Sequence, residues 1–294
     1  FDPKKHTPAQ KTKLISWFAK ELQPLLIKYY IAGPDINTTE KEMAQFIKAA
    51  GNRRAATGKP KKLGGLPHEL GSTGLGVAIA TRLALENKKI NLVGATVAIE
   101  GFGNVGVFAA KFLTDWGAKV VAVSDSKGTI YQPEGLDFKQ LEKVKKQTGS
   151  VVNYQGGPVS PSQGGQKLGG KAIFELPVDV LIPAALPDVI NENNVAKIQA
   201  KIIVEGSNIP MKEEFESQLH VRGTLIVPDI IANAGGVISS YAEHKGFNKE
   251  KMFKLVEQKI TASVKALFTA MQKSNQPPRA LAIVLANKRL GIKS

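Results

Sequence analysis

The chain contains no cysteine among its 294 residues, which excludes disulfide bonds and thiolate metal sites. It also lacks an apolar run of the roughly 18 residues that a membrane-spanning helix needs, so we expect no membrane partner. These features are typical of proteins of the reducing cytoplasm, and we predict a cytoplasmic protein without a bound metal. Hydrophobic residues make up 43% of the sequence, enough for one large or two moderate cores.

Acidic residues are few: 25 Asp and Glu stand against 40 Lys and Arg, which leaves a formal net charge of +15. Such a balance is a feature of many nucleic-acid-binding proteins. Here, however, the basic residues are scattered, and the densest cluster, KPKK at 59–62, is short and has no interleaved aromatic residues. We interpret the charge as a solvated basic surface that steers anionic substrates and phosphorylated cofactors, and we predict no nucleic-acid partner.

Hydrophobic periodicity divides the chain into a helical beginning, an alternating middle and a helical end. Residues 9–30 have helical spacing that Pro24 interrupts, and Thr38 or Thr39 is a candidate N-cap for the next helix. From Thr96, short apolar strands alternate with helices, which predicts an α/β fold with a doubly wound, mostly parallel sheet. The Gly/Ser/Pro/Gln-rich stretch 153–170 is predicted to be a surface loop.

The segment GFGNVG, residues 101–106, lies between the predicted strand TVAIE and a predicted helix. Gly101 allows a sharp turn, Gly103 allows the backbone to approach a pyrophosphate, and Gly106 allows the helix to pack close to the sheet. The N-terminus of that helix would direct its N–H groups at the phosphates. The segment therefore predicts a dinucleotide site, and a purely structural glycine turn is the alternative.

Asp125 ends the next predicted strand, where an acidic residue can hold a ribose hydroxyl. Because a carboxylate repels a 2′-phosphate, Asp125 slightly favours NAD over NADP. Ser124, Ser126 and Lys127 lie beside it and could accommodate that phosphate, so both cofactors stay open. The alternative role for Asp125 is to cap the next turn.

Eight segments, in order along the chain, resemble the glutamate/leucine/phenylalanine/valine dehydrogenase family, and in particular its members that act on glutamate. They are GPDINT (33–38), TGKP (57–60), GSTGLGV (71–77), GFGNVG (101–106), SDSKGTIYQPEGLD (124–137), DVLIPAAL (179–186), VEGSN (204–208) and ANAGGVISSY (232–241).

The resemblance implies a Rossmann-type nucleotide domain plus a truncated N-terminal domain for substrate and assembly. Residues 1–72 would be the remainder of the N-terminal domain, 73–245 the dinucleotide-binding domain, and 246–294 helices that return to the first domain. It also implies reversible, NAD(P)-dependent oxidative deamination of L-glutamate to 2-oxoglutarate and ammonia, in a cleft between the domains. Members of the family are commonly homo-oligomeric hexamers.

The same resemblance assigns site residues. Asp35 matches the catalytic aspartate, which can shuttle protons at the amine nitrogen, although by itself it would be read as part of an Asx turn. Thr73 matches the threonine that holds the nicotinamide amide. Ser240 matches a serine that receives the side-chain carboxylate of glutamate, and it favours glutamate over leucine. Asn208 matches an asparagine near the nicotinamide ribose. The other implied contacts are Phe102, Asn104, Val105, Ala184, Ala185 and Asn233 for the cofactor, and Asn233 and Val237 for the substrate.

Two features depart from the family pattern. GGLPHELGSTGLGV (64–77) replaces the commoner GGSxGRxxATGRGV, with Glu69 and Leu75 in place of arginines and with His68 as a substituted polar residue. This loop would border the nicotinamide, so cofactor preference and effector response stay open. The family's GGAKGG motif, which carries the catalytic lysine, does not occur in the sequence.

The first residues, FDPKKHTPAQK, resemble the segment that follows the GGAKGG motif, so we expect the catalytic lysine to lie upstream of this chain. Such a lysine would polarise the carbonyl and activate water. We interpret the chain as part of a complete amino-acid dehydrogenase. The alternatives are a catalytically incomplete cofactor-binding fragment, or a dehydrogenase for leucine, phenylalanine or valine.

Overall fold

The computed structural model describes residues 6–35, 37–67, 70–155 and 166–292. Its helices are α1 (Pro8–Glu21), α2 (Glu40–Ala50), α3 (Ser72–Asn87), α4 (Asn104–Asp115), α5 (Phe138–Thr148), α6 (Glu213–Val221), α7 (Asp229–Ala232), α8 (Gly235–His244), α9 (Lys249–Met271) and α10 (Pro278–Leu290). Its strands are β1 (Thr96–Glu100), β2 (Lys119–Asp125), β3 (Gly128–Tyr131), β4 (Gln166–Leu168), β5 (Val180–Pro183), β6 (Ile202–Val204) and β7 (Leu225–Val227).

The chain divides into two compact units. Unit 1 contains Phe1–Ser72 and Gly236–Val256, and unit 2 contains Thr73–Gly235 and Glu257–Ser294. The return of residues 246–294 to the first domain stays a prediction. No helix in the described parts of the chain combines the length and the apolarity that a membrane crossing requires.

Unit 1 is built around two capped helices. α1 ends at Glu21, before Pro24, as the sequence predicts. α2 begins after Thr39, whose hydroxyl accepts from the backbone of the first turn while the Glu42 side chain accepts from the Thr39 backbone. The apolar faces of the two helices share one core. Its buried residues are Ala19, Leu26, Ala32, Met43, Phe46, Ile47, Ala50, Ala55 and Ala56.

Unit 2 contains a seven-stranded sheet within the described residues, in the order β4-β3-β2-β1-β5-β6-β7. The five strands β2, β1, β5, β6 and β7 are parallel, which confirms the predicted α/β sheet. Strand order reverses between β1 and β5, and in such sheets ligands bind at the carboxyl ends of the strands at this point. The strands β1 and β5 are almost fully buried, as expected of a sheet covered on both faces.

The other edge of the sheet departs from the prediction. β3 pairs antiparallel with β2, and β4 pairs antiparallel with β3, so residues 166–168 of the predicted loop 153–170 form an edge strand. The sequence of β4, Gln-Lys-Leu, has no apolar alternation, and its strand conformation comes from backbone pairing with β3. The prediction of a loop was therefore wrong for this segment, and residues 156–165 lie outside the described part of the chain.

Candidate functional site

The glycine turn between β1 and α4 has a backbone that excludes side chains at two positions. Gly101 has φ +91°, and a Cβ there would lie 2.6 Å from the Cβ of Ala185. A Cβ on Gly106 would lie 1.9 Å from the carbonyl oxygen of Gly101. Both contacts are far shorter than van der Waals separation, so the turn requires glycine at 101 and 106.

Gly103 differs from these two residues, because a Cβ there would meet no atom within 4 Å. It is the N-cap of α4, and no side chain caps that helix terminus. The first-turn N–H groups of a helix need acceptors, and an anion supplies them. The open space at Gly103 thus fits a pyrophosphate, whereas Phe102 is 3% exposed and could contact a cofactor only through its backbone.

A half-buried carboxylate, which the sequence analysis missed, fixes the loop that follows β5. Glu100 Oε2 accepts hydrogen bonds from the backbone N–H groups of Ala184 and Ala185, both at 3.2 Å. Burial raises the pKa of Glu100 above its ordinary value, although these two hydrogen bonds oppose the shift. The residue ends a strand of otherwise apolar pattern, and its unusual polarity there is the signal that could have identified it.

The loops after β1, β5 and β6 meet at the carboxyl edge of the sheet. The N–H groups of Gly206 and Ser207 donate to the carbonyl of Pro183 at 2.8 and 2.9 Å. A Cβ on Gly206 would lie 3.1 Å from the Cβ of Ala184 and 3.4 Å from a methyl of Val105. The structure therefore brings the predicted cofactor residues of these loops together.

Asn208 and Asn233, both predicted to contact the cofactor, contact each other. The Asn233 Nδ2 donates to the Asn208 Oδ1 at 2.7 Å. Asn208 lies in the loop after β6, and Asn233 follows α7, so the pair joins two neighbouring strand ends. Asn104, the first residue of α4, is exposed beside Gly103.

Asp125 is engaged within the protein on both oxygens, and its side chain is 7% exposed. Oδ1 accepts from the Lys127 N–H and the Ser150 hydroxyl, and Oδ2 accepts from Lys145 Nζ at 2.7 Å and the Val151 N–H at 2.8 Å. Four donors use about all the acceptor positions of a carboxylate. Burial opposes ionisation of Asp125, but the donors outweigh it and lower its pKa.

This geometry matches the alternative role of Asp125, in which its carboxylate caps the turn that follows β2. The carboxylate links the end of β2 to the residues after α5, and Lys145 compensates its charge. Ser126 and Lys127, which follow it, are exposed. Ser124 was wrongly included among the phosphate contacts, because it is 3% exposed and its hydroxyl accepts from the Gly101 N–H. Its contact with a ribose stays a prediction.

Thr73 is half-buried in the first turn of α3. The glycines around it let α3 pack closely: a Cβ on Gly74 would lie 2.5 Å from the Cβ of Phe108 in α4, and one on Gly76 would lie 3.0 Å from the Ala232 carbonyl. Leu75, which replaces a family arginine, is buried. His68 and Glu69, the other departures in this loop, lie outside the described residues.

In unit 1, Asp35 is an exposed residue of a turn that Thr38 closes. The Asp35 N–H donates to the Thr38 hydroxyl at 2.7 Å, and the Asp35 carbonyl accepts from the Thr38 N–H at 2.8 Å. On α8, Val237 is 75% exposed and Ser240 is half-buried. These two residues are three apart and share one side of the helix.

The same helix carries Glu243, which pairs with Lys59 in a buried site. Lys59 Nζ donates to a Glu243 carboxylate oxygen and, at 2.5 Å, to the Ala56 carbonyl. Glu243 Oε2 accepts from the N–H groups of Gly58 and Leu66 at 2.9 and 2.6 Å. The prediction that the KPKK cluster is solvated was therefore wrong for Lys59. Nothing local could have revealed this, because its partner lies 184 positions along the chain.

Within the described residues, no cluster of three or more His, Asp or Glu side chains is arranged to hold a metal ion.

Comparison with known proteins decides the family. A model of the glutamate/leucine/phenylalanine/valine dehydrogenase family matches residues 64–293. The chain belongs to this family. It is 42% identical to a glutamate dehydrogenase of Aeropyrum pernix over 282 residues, which cover 88% of this chain and 66% of the relative. It is 38% identical to an NADP-specific glutamate dehydrogenase of Saccharolobus shibatae, covering 92% of this chain and 68% of that one.

A solved structure gives the same result for the fold. The hetero-hexameric glutamate dehydrogenase of Thermus thermophilus, in a leucine-bound form, matches with a TM-score of 0.85 and 28% identity, covering 98% of this chain and 70% of that one. The relatives include NADP-specific and NAD-specific enzymes. The chain thus spans about two thirds of the length of the family members that it matches.

Proposed function

We propose that this chain contains the cofactor-binding site and part of the substrate-binding site of an NAD(P)-dependent glutamate dehydrogenase. The enzyme would catalyse the reversible oxidative deamination of L-glutamate to 2-oxoglutarate and ammonia. The observation that carries the proposal is the turn at 101–106, where two glycines are required by backbone contacts and the third borders open space at a helix N-terminus. The names of the relatives support the choice of glutamate.

The nicotinamide cofactor, when bound, accepts or returns the hydride. The backbone N–H groups of the first turn of α4 would hold its pyrophosphate. The small side chains of Ala184 and Ala185 would let the dinucleotide lie across the strand ends, beside the Asn208–Asn233 pair. Thr73 would hold the nicotinamide amide.

We assign three residues of unit 1, together with Asn233 of unit 2, to the substrate. Asp35 would take a proton from the amine nitrogen and return it, a role that its exposed position in the 33–38 turn allows. The Ser240 hydroxyl would donate a hydrogen bond to the side-chain carboxylate of glutamate, and Val237 and Asn233 would line the substrate. Ser240 is the residue that favours glutamate over leucine, phenylalanine or valine.

For the cofactor, we propose that NAD and NADP are both admitted. The Asp125 carboxylate is neutralised by Lys145 and oriented by four internal donors, so it repels a 2′-phosphate weakly. Ser126 and Lys127 are exposed next to it and could donate to that phosphate. The slight preference for NAD that the sequence predicts loses its main support in this geometry.

We further propose that the protein assembles into a homo-oligomer, as a hexamer. The related Thermus thermophilus structure is described as hetero-hexameric. Unit 1 also exposes large aromatic side chains, with Trp17 at 60% and Tyr29 at 69%, and such residues are enriched at protein interfaces. The cytoplasmic location stays a prediction.

The test is glutamate-dependent reduction of NAD and NADP by the protein that contains this chain, with leucine and phenylalanine as competing substrates. We expect turnover with glutamate, and Asp35→Asn should abolish it while the dissociation constant of the reduced cofactor stays within about twofold. Cofactor binding without turnover on any amino acid would favour the incomplete, cofactor-binding alternative. Equal losses of turnover and of cofactor binding in Asp35→Asn would reject the role of Asp35.

A further inference from the structure

Arg279, the second residue of α10, contacts three buried carboxylates. Its Nη2 donates to Glu205 at 2.5 Å, its Nη1 to Asp229 at 2.7 Å and its Nε to Glu216 at 2.9 Å. Its backbone N–H also donates to Glu216, at 2.8 Å. One guanidinium thus faces three acids that are at most 4% exposed. Removing such groups from water is costly, so stability alone is a weak explanation for the cluster.

Two of these acids begin the segments that carry Asn208, predicted near the nicotinamide ribose, and Asn233, predicted to contact cofactor and substrate. Glu205 directly follows β6, three residues before Asn208, and Asp229 begins α7, four residues before Asn233. The segments are also tied to each other, because the Asp229 N–H donates to Glu205 at 2.8 Å and the Ile209 N–H donates to Asp229 at 2.7 Å. Arg279 therefore connects Glu205 and Asp229, which begin the two segments that end in the Asn208–Asn233 contact.

We propose that Arg279 is a positioning residue for the nicotinamide half of the dinucleotide, acting through Glu205 and Asp229 on the Asn208–Asn233 pair. The proposal rests on the proposed function, because it needs a dinucleotide at this edge of the sheet. A planar guanidinium can donate in three directions at fixed angles, whereas a lysine at the same position supplies a single point charge. Only the guanidinium can hold Glu205, Asp229 and Glu216 in one arrangement.

Burial of the cluster also favours the protonated form of Glu205. Glu205 Oε1 is buried and has no hydrogen-bond partner among the described residues. Burial raises the pKa of Glu205 to about 8, against the attraction of Arg279, and the nearby Asp229 and Glu216 add to the rise. The charged groups that face it are thus Arg279 of α10, Asp229 of α7 and Glu216 of α6. Above about pH 8, ionised Glu205 is attracted more strongly to Arg279 but repels the carboxylates of Asp229 and Glu216. We expect this repulsion to disturb the two segments that Glu205 and Asp229 begin.

The experiment compares two probes on the full chain: NADH or NADPH, whichever the wild type binds more tightly, and ADP or its 2′-phosphate derivative. The second probe shares only the adenine half and the phosphates. We expect Arg279→Lys to lower the affinity for the reduced dinucleotide at least about tenfold. The affinity for the adenine probe should fall less than about twofold. The matched control is Arg222→Lys, since Arg222 donates to the carbonyls of Val195 and Ile198, away from these segments. It should leave both affinities unchanged.

A second variant keeps the test decisive if Arg279→Lys folds poorly. Glu205→Gln is uncharged at every pH and keeps an acceptor for Arg279. The wild-type affinity for the reduced dinucleotide should fall as pH rises through about 8, and Glu205→Gln should remove that fall. The adenine probe should show no such pH dependence in either protein.

Three outcomes would overturn the proposal. The first is an equal loss of affinity for both probes in folded Arg279→Lys. The second is an unchanged affinity of this variant for both probes. The third is a pH dependence of dinucleotide binding that Glu205→Gln leaves unchanged. If the wild type binds neither probe, the proposed function itself fails. If the wild type binds both probes and Arg279→Lys does not lower the affinity for the dinucleotide selectively, only the role of Arg279 fails.

Discussion

The glycine turn at 101–106 and the acidic strand end at Asp125 belong to the same nucleotide-binding pattern, but the structure treats them differently. In the turn, backbone contacts require Gly101 and Gly106 and leave open space at Gly103. At Asp125, four protein donors already surround the carboxylate. The spacing of a motif therefore predicts the backbone conformation of the turn well, because the positive φ of Gly101 and the contact between Gly106 and Gly101 are local. It predicts poorly which side chain is free for a ligand, because partners arrive from distant parts of the chain.

The largest expected effect is at Gly106. Gly106→Ala would place a Cβ 1.9 Å from the Gly101 carbonyl oxygen, so the turn or α4 must shift. We expect the free energy of unfolding to fall by about 3 kcal/mol or more in denaturant titrations. Gly103→Ala is the matched control and should change stability by less than about 1 kcal/mol, since its Cβ meets no atom. Equal stability of the two variants would show that the glycines are interchangeable and would break the comparison.

The next effect separates the two roles of Asp125. Asp125→Asn keeps the shape but loses the ion pair with Lys145 and places an NH₂ group against N–H donors, so it should cost about 2 kcal/mol of unfolding free energy. The pKa of Asp125 is lowered in the folded state, so its stabilisation is present above the ordinary carboxyl pKa and is lost as pH falls through the folded value. The difference between wild type and variant should therefore shrink in acid. Unchanged stability with weakened cofactor binding would restore the ribose role.

The smallest effect concerns Lys127, which is exposed beside Asp125. If Lys127 donates to a 2′-phosphate, Lys127→Ala should lower the affinity for NADPH about threefold and leave the affinity for NADH unchanged. The effect is small because an exposed ion pair contributes little in water. Fluorescence titration of both cofactors measures this difference. The same loss for NADH and NADPH would place Lys127 outside the 2′-phosphate contact.

Much of the fold could be predicted from the sequence, and the exceptions share one cause. The parallel strands were visible as short apolar runs, and Thr39 and Pro24 identified helix ends. β4 was missed because a polar three-residue strand has no periodic signal and exists through pairing with β3. Lys59 and Arg279 were missed because their carboxylate partners are remote in sequence, at Glu243 for the first and at Glu205, Glu216 and Asp229 for the second.

The measurement that tests the central claim most directly is titration of NADH and NADPH into wild type, Gly103→Val and Gly169→Val. Both glycines have ordinary φ values and open space around a Cβ, but only Gly103 caps α4. If the turn binds the pyrophosphate, Gly103→Val should keep the wild-type melting temperature but lose about 100-fold or more in affinity for both cofactors. Gly169→Val should bind both cofactors as tightly as the wild type does. A Gly103→Val protein that binds as tightly as the wild type would contradict the account.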